Sequence, residues 1–252
     1  MAALVLPFHD TTGLMFHHLD AVTPRLRALF ERTFISLSPA TERARPAAIE
    51  RLAGDAFFVL NRNAPGTQPG EHYRAAFASA VAGCAPEQVL HIANVDRVAF
   101  ALQTEHAAQF AADVAAAGQG PLPLFFQRSP VAWATHPRNY REAEQAAIQL
   151  GQARFGRTYD FAWSHLVLRA GQLAALLPRL RSRDFGLLAE MLLRLRRELH
   201  MQAVDWLAWE DPFIYGRDPD ELRREREADP AETQKRADWN RPLWELVANT
   251  DD

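Results

Sequence analysis

Val89-Leu90-His91-Ile92-Ala93-Asn94-Val95-Asp96-Arg97 is the stretch from which the fold is read. Residues 88–92 are mostly apolar and β-leaning, the run stops abruptly at Asn-Val-Asp-Arg, and an alanine-rich helical pattern follows. That is the signature of a buried strand delivering Asp96 to a strand-to-helix turn. In open α/β sheets such turns are where ligands sit. Asn94 and Asp96, two residues apart, project to the same side of an extended backbone, where an amide and a carboxylate can share one divalent cation or one ribose hydroxyl. Asp is also a good helix cap, so the neighbouring segments decide between a binding role and a capping one.

Upstream, residues 4–8 read as a short buried strand closed by the polar turn His9-Asp10-Thr11-Thr12-Gly13. Residues 14–30 carry apolar side chains at helical spacing despite Pro24. Residues 33–38 form a second strand, 42–52 a helix, 56–60 a third strand, and Asn61-Arg62-Asn63-Ala64-Pro65-Gly66 the turn after it. A helix over 73–81 then leads into the fourth strand at 88–92. Short apolar runs separated by helical segments imply βαβ units, hence an α/β fold with a mostly parallel sheet and helices on both faces. Right-handed crossovers place the carboxyl ends of those strands along one edge. A ligand crevice is expected there.

The second half is less regular. A helix is expected over 98–117, a strand over 121–127, a polar and aromatic loop over 128–137, and a long helix to about residue 155. Residues 166–177 read as a helix, 185–199 as a strongly apolar helix, and 202–209 as a strand ended by Glu210-Asp211-Pro212. From 217 to 241 the chain is almost entirely charged and polar, so residues 217–252 read as a C-terminal arm that clasps the body, residues 1–216, through Trp239 and Trp244.

Composition excludes several classes. A net charge of −3 gives no bulk attraction to nucleic acid or an anionic membrane. The single cysteine, Cys84, rules out an internal disulfide and any multi-cysteine metal site, and its helical setting makes it a core residue. The opening residues lack a basic n-region and meet Pro7 too early for a signal peptide, and no apolar run approaches a membrane span, so a cytoplasmic location is expected. No dinucleotide fingerprint, phosphate loop, nucleophile elbow or His-Glu-X-X-His pattern is present, and His17 and His18 read as surface residues of a helix.

What remains is carboxylate and arginine chemistry at strand ends: Asp10, Asp96, Asp160, Asp184, Glu190, Glu210 and Asp211, with Arg62, Arg97 and Arg128. Hard oxygen ligands suit Mg2+ or Mn2+, and those cations suit a diphosphate, whose departure they aid by neutralising charge. Arginine adds bidentate phosphate contacts. Glu210-Asp211 beside Trp206 and Trp209 is an acidic pair in apolar company, which is costly unless it is used.

The alternating βα units, the first strand Leu4-Val5-Leu6-Pro7-Phe8 and the Asp-X-Asp-like turn after the fourth strand resemble the GT-A glycosyltransferases, the nucleotide-diphospho-sugar transferase fold. His91 to Arg97, with Arg128, Ala134-Thr135-His136-Pro137 and Glu144, resembles a bacterial branch of that superfamily. The resemblance covers about residues 4–215 and implies a three-layer α/β/α body, a nucleotide-sugar donor and an acceptor of unknown identity. It further implies that Phe8, His9 and Asp10 line the base and ribose, and that Asp96 holds the metal or diphosphate. Asp184 and Glu190 would lie near the acceptor, with Glu210 and Asp211 closing the metal side. Two residues depart from the pattern. Asn94 replaces the first carboxylate of the turn, and Trp163 and His165 stand where such enzymes are often small and glycine-rich. Both departures keep open a second reading, a catalytically degenerate relative that binds a nucleotide or a protein partner.

Overall fold

The computed structural model describes residues 1–162 and 165–250, which form one seven-stranded sheet flanked by helices. The strands are β1 (Ala2–Phe8), β2 (Phe30–Leu37), β3 (Phe58–Arg62), β4 (Val89–Ile92), β5 (Leu124–Arg128), β6 (His165–Arg169) and β7 (His200–Val204). Their order is β3-β2-β1-β4-β6-β5-β7. β1 to β4 are mutually parallel, β6 runs antiparallel to both β4 and β5, and β7 is parallel to β5.

The strands are apolar without alternation because both faces are covered. Along β1, Leu4, Leu6 and Phe8 enter the core on one face, with helices Leu14–Leu29, Val95–Gln103 and Ala107–Ala117. Ala3 and Val5 enter the core on the other face, with helices Pro69–Gly83, Gly186–Leu195 and Pro230–Asn249. This is the expected α/β/α arrangement.

Several elements differ from their sequence reading. Residues 166–177 are not one helix: His165–Arg169 is the antiparallel strand β6, followed by helix Ala170–Leu176. His165, Leu166, Val167 and Leu168 are all buried in the sheet, so the run has no polar face by which a strand period could be told from a helical one. The single helices expected over 42–52 and 98–117 are each two helices, the first broken before Pro46 and the second at residues 104–106. Within the expected loop 128–137, Ser129 caps a short helix, Pro130–Thr135, its Oγ accepting from Ala132 N at 3.1 Å. The last strand ends at Val204 and passes into a 3-10 turn, Asp205–Leu207. His18 is buried rather than on the surface, its Nε2 lying 3.1 Å from the Ile214 carbonyl, and Cys84 is half-buried just past a helix end.

The charged tail is a pair of helices, Pro219–Ala228 and Pro230–Asn249, begun by the Asp218 and Asp229 side-chain caps. The second helix packs against helices Arg138–Phe155 and Gly186–Leu195. Leu243 and Val247 carry that packing, whereas Trp239 and Trp244 are 39% and 44% exposed. Among the described residues no helix is long and apolar enough to cross a membrane.

Candidate functional site

The carboxyl ends of β1, β2 and β4 open onto two adjoining cavities. One, of about 410 Å³, is walled by Phe8, His9, Ser38 and His72. The other, of about 310 Å³, is walled by Arg97, Glu210, Asp211 and residues of the C-terminal helices, including Arg226, Lys235, Arg236 and Asn240. Tyr73, Asn94, Asp96, Phe185 and Trp239 line both. The turn after β4 therefore forms the waist between two chambers.

Asn94 stands at the N-cap of helix Val95–Gln103 but makes no side-chain cap; its Oδ1 accepts from the Tyr73 hydroxyl at 3.0 Å. Burial and the neighbouring Asp96 charge hold that phenol protonated, well above its ordinary range. Asp96 is half-buried, and its Oδ1 accepts from Arg97 N at 2.8 Å. Burial raises its pKa, the Asp211 carboxylate adds to the rise, and Arg97 opposes it. Arg97 forms an ion pair with Glu210 and donates to the Ala208 carbonyl at 3.2 Å. Glu210 is 6% exposed, and its Oε2 meets the guanidinium without a well-aligned hydrogen bond. Burial, with Asp96 and Asp211 as like charges, raises Glu210 to about 8 against the pull of Arg97. Three carboxyl groups thus share one close arginine, and with Glu210 holding a proton the two aspartates still outnumber it.

Across the second chamber the C-terminal helices supply the opposite sign. Glu232 accepts from the Tyr140 hydroxyl at 2.7 Å, Lys235 at 3.1 Å and Arg236 at 2.9 Å. Burial acts to raise its pKa, but these donors outweigh it and lower it to about 2.

The remaining residues singled out by sequence are placed as follows. Phe8 and His9 line the larger chamber, and His9 Nδ1 lies 2.8 Å from Ser38 Oγ. Asp10 is not left for a ribose. Its Oδ1 accepts from Thr12 N at 2.9 Å and Gly13 N at 2.8 Å, and its Oδ2 from Phe16 N at 3.0 Å. These donors outweigh burial and lower its pKa, so the carboxylate serves the turn itself. Arg62 lies outside both chambers and pairs with Glu42 at 3.3 Å. Arg128 is not available to phosphate: it grips Asp160 and Glu144 and lies 4.3 Å from the Trp133 ring centroid. Asp184 and Glu190 are likewise not brought to either chamber. Asp184 Oδ1 accepts from Gly186 N at 2.9 Å, and Glu190 Oε2 holds Arg181 N at 2.8 Å and Ser182 N at 2.9 Å. A Cβ on Gly70 would lie 2.5 Å from the Asp184 carbonyl, so it is the backbone of this loop, not its carboxylate, that meets the start of helix Pro69–Gly83. His165 lies in β6, its Nδ1 hydrogen-bonded to His91 Nε2 at 2.9 Å and away from the chambers, while Trp163 lies outside the described residues.

No family model and no curated protein matches the chain. Solved structures do. Glucosyl-3-phosphoglycerate synthase from Mycobacterium tuberculosis, in complex with Mn2+, UDP-glucose and phosphoglyceric acid, aligns with 100% of this chain and 81% of its own, at 13% identity and a TM-score of 0.51. A mycobacterial protein aligns with 100% of this chain and 76% of its own, at 13% identity and a TM-score of 0.58. The fold is the GT-A fold.

Set in the GT-A fold, the waist holds residues that the sequence reading did not single out for the site. Tyr73 and Phe185 read as ordinary helix residues, and nothing local marks them. Lys235, Arg236 and Trp239 carried a faint signal, a basic and aromatic cluster inside an otherwise acidic-and-basic tail.

Proposed function

We propose that the protein transfers a sugar from a nucleotide-diphospho-sugar donor to an acceptor. The observation that carries this reading is Asp96, a half-buried carboxylate at the end of a central strand of a GT-A fold, shared by two chambers. The larger chamber, with Phe8 and His9, suits the base and ribose, and the smaller suits the acceptor. The solved relative's own complex, which holds Mn2+, UDP-glucose and phosphoglyceric acid, supports a donor of this class.

A divalent cation fits the waist in one respect: with Glu210 holding a proton, Asp96 and Asp211 still outnumber Arg97, the one close arginine. Among the described residues no three metal-binding side chains converge, so Asp96 would hold the ion together with donor diphosphate oxygens and water, the arrangement Mg2+ commonly takes. Bound there, the cation would neutralise charge on the leaving diphosphate. Arg97 keeps its guanidinium beside that position, and Asp211, at the start of helix Asp211–Tyr215, faces the acceptor chamber as the carboxylate suited to take a proton from an acceptor hydroxyl. Glu210 positions Arg97.

Incubation with a panel of nucleotide-sugars and Mn2+, with Asp96→Ala beside the native chain, tests the reading. Donor consumption that Asp96→Ala abolishes is expected, and failure to bind or hydrolyse any donor overturns it. A second reading, donor binding without turnover, is favoured by Asn94, a neutral amide already engaged by Tyr73. Tight donor binding with no product under any acceptor would select it.

A further inference from the structure

We infer that Trp239, with Phe185, is the surface that reads the transferred sugar ring, so that the C-terminal helix determines donor-sugar specificity. This inference rests on the glycosyl-transfer reading and deepens it.

Trp239 and Phe185 belong to both chambers, and their ring centroids are 5.6 Å apart at 50°. Asn94 and Asp96 line the same two chambers. A sugar passed from one chamber to the other must occupy this throat. Its lining combines two chemistries: the aromatic pair Trp239 and Phe185, and the Asn94 amide, held by the Tyr73 hydroxyl, with the Asp96 carboxylate. A pyranose offers a match to both, an apolar C–H face for the rings and hydroxyls for the amide and carboxylate. A diphosphate would be repelled by Asp96 unless a cation lay between. The aromatic pair therefore suits the neutral ring.

Trp239 is held, but not closed off. Lys235 Nζ lies 4.6 Å and Arg236 Cζ 5.0 Å from its ring centroid, and both cations are anchored on Glu232. Yet 39% of the residue stays exposed. An exposed tryptophan fixed by neighbouring cations presents contact area with little rotamer freedom left to lose. Trp244 on the same helix is exposed to a similar degree, 44%, but lines neither chamber.

The test compares a nucleoside diphosphate with its own hexose conjugate, UDP with UDP-glucose and GDP with GDP-mannose, by titration calorimetry of the full chain in Mn2+. For the nucleotide that binds, Trp239→Ala should weaken the conjugate about ten-fold while leaving the bare diphosphate unchanged. Trp239→Phe should restore most of the difference, and Trp244→Ala should match the native chain. Equal loss of both ligands, or loss of neither, overturns the inference while leaving the transferase reading intact. A native chain that binds no diphosphate and no conjugate overturns both.

Discussion

The turn after β1 and the turn after β4 lie side by side at one sheet edge; the first carries Asp10 just ahead of helix Leu14–Leu29, and the second places Asp96 in the first turn of helix Val95–Gln103. Their fates are opposite. Asp10 is enclosed by backbone N–H groups of Thr12, Gly13 and Phe16, and its pKa falls. Asp96 faces two chambers and other carboxylates, and its pKa rises. The same contrast separates two arginines. Arg128 is closed in by Asp160, Glu144 and Trp133, while Arg97 reaches the waist and one buried carboxyl. Charge at a strand end is thus no guide to use; what matters is whether the fold has already supplied its partners.

That contrast can be broken by substitution. Arg128→Ala should have the largest effect, a loss of about 3–5 kcal/mol of stability, because it strands two buried carboxylates. Urea unfolding measures it, and a well-folded variant with lost donor binding would move Arg128 to the functional side. Asp96→Ala should lower kcat by about 100-fold or more with the urea midpoint kept, since that carboxylate is held at some expense to the fold. A collapse in stability without a specific kinetic loss would place Asp96 with Asp10.

Asp10→Ala should do the reverse. We expect a loss of about 1–3 kcal/mol from unsatisfied turn N–H groups, with donor affinity unchanged in calorimetry under native conditions. A test read as a pH slope rather than as a single loss sharpens the picture at Glu210. Between 4.5, its ordinary value, and about 8, the folded chain holds a proton at Glu210 that the unfolded chain has released. The folded state binds more protons in that window, so this residue makes stability fall as pH rises through it. Glu210→Gln should flatten that slope in unfolding midpoints taken across the window, and an unchanged slope would show that Arg97 keeps Glu210 ionised.

Legibility in the sequence followed local periodicity. The first four strands were readable because each apolar run is bounded by polar turns and followed by a helical repeat. β6 was not, because a fully buried antiparallel strand running straight into a helix shows no alternation and no turn signal. Of the candidate site, Asp96, Arg97, Glu210 and Asp211 were visible as charges at the ends of apolar runs, and the structure brings them together. Asp184 and Glu190 looked alike on that criterion and are instead held by Gly186 N and by the 181–182 backbone.

By itself the chain's order of apolar and polar residues determined a mostly parallel α/β body with Asp96 at the mouth of β4, because strand burial and helix amphipathicity are short-range patterns. Only the tertiary structure decided which charges remain for a ligand, that Tyr73, Phe185 and Trp239 meet at the waist, and that the charged tail is a wall of the second chamber. Those outcomes depend on which backbone donors and distant side chains arrive beside each group, and separations such as that between Asn94 and Trp239 leave no local trace.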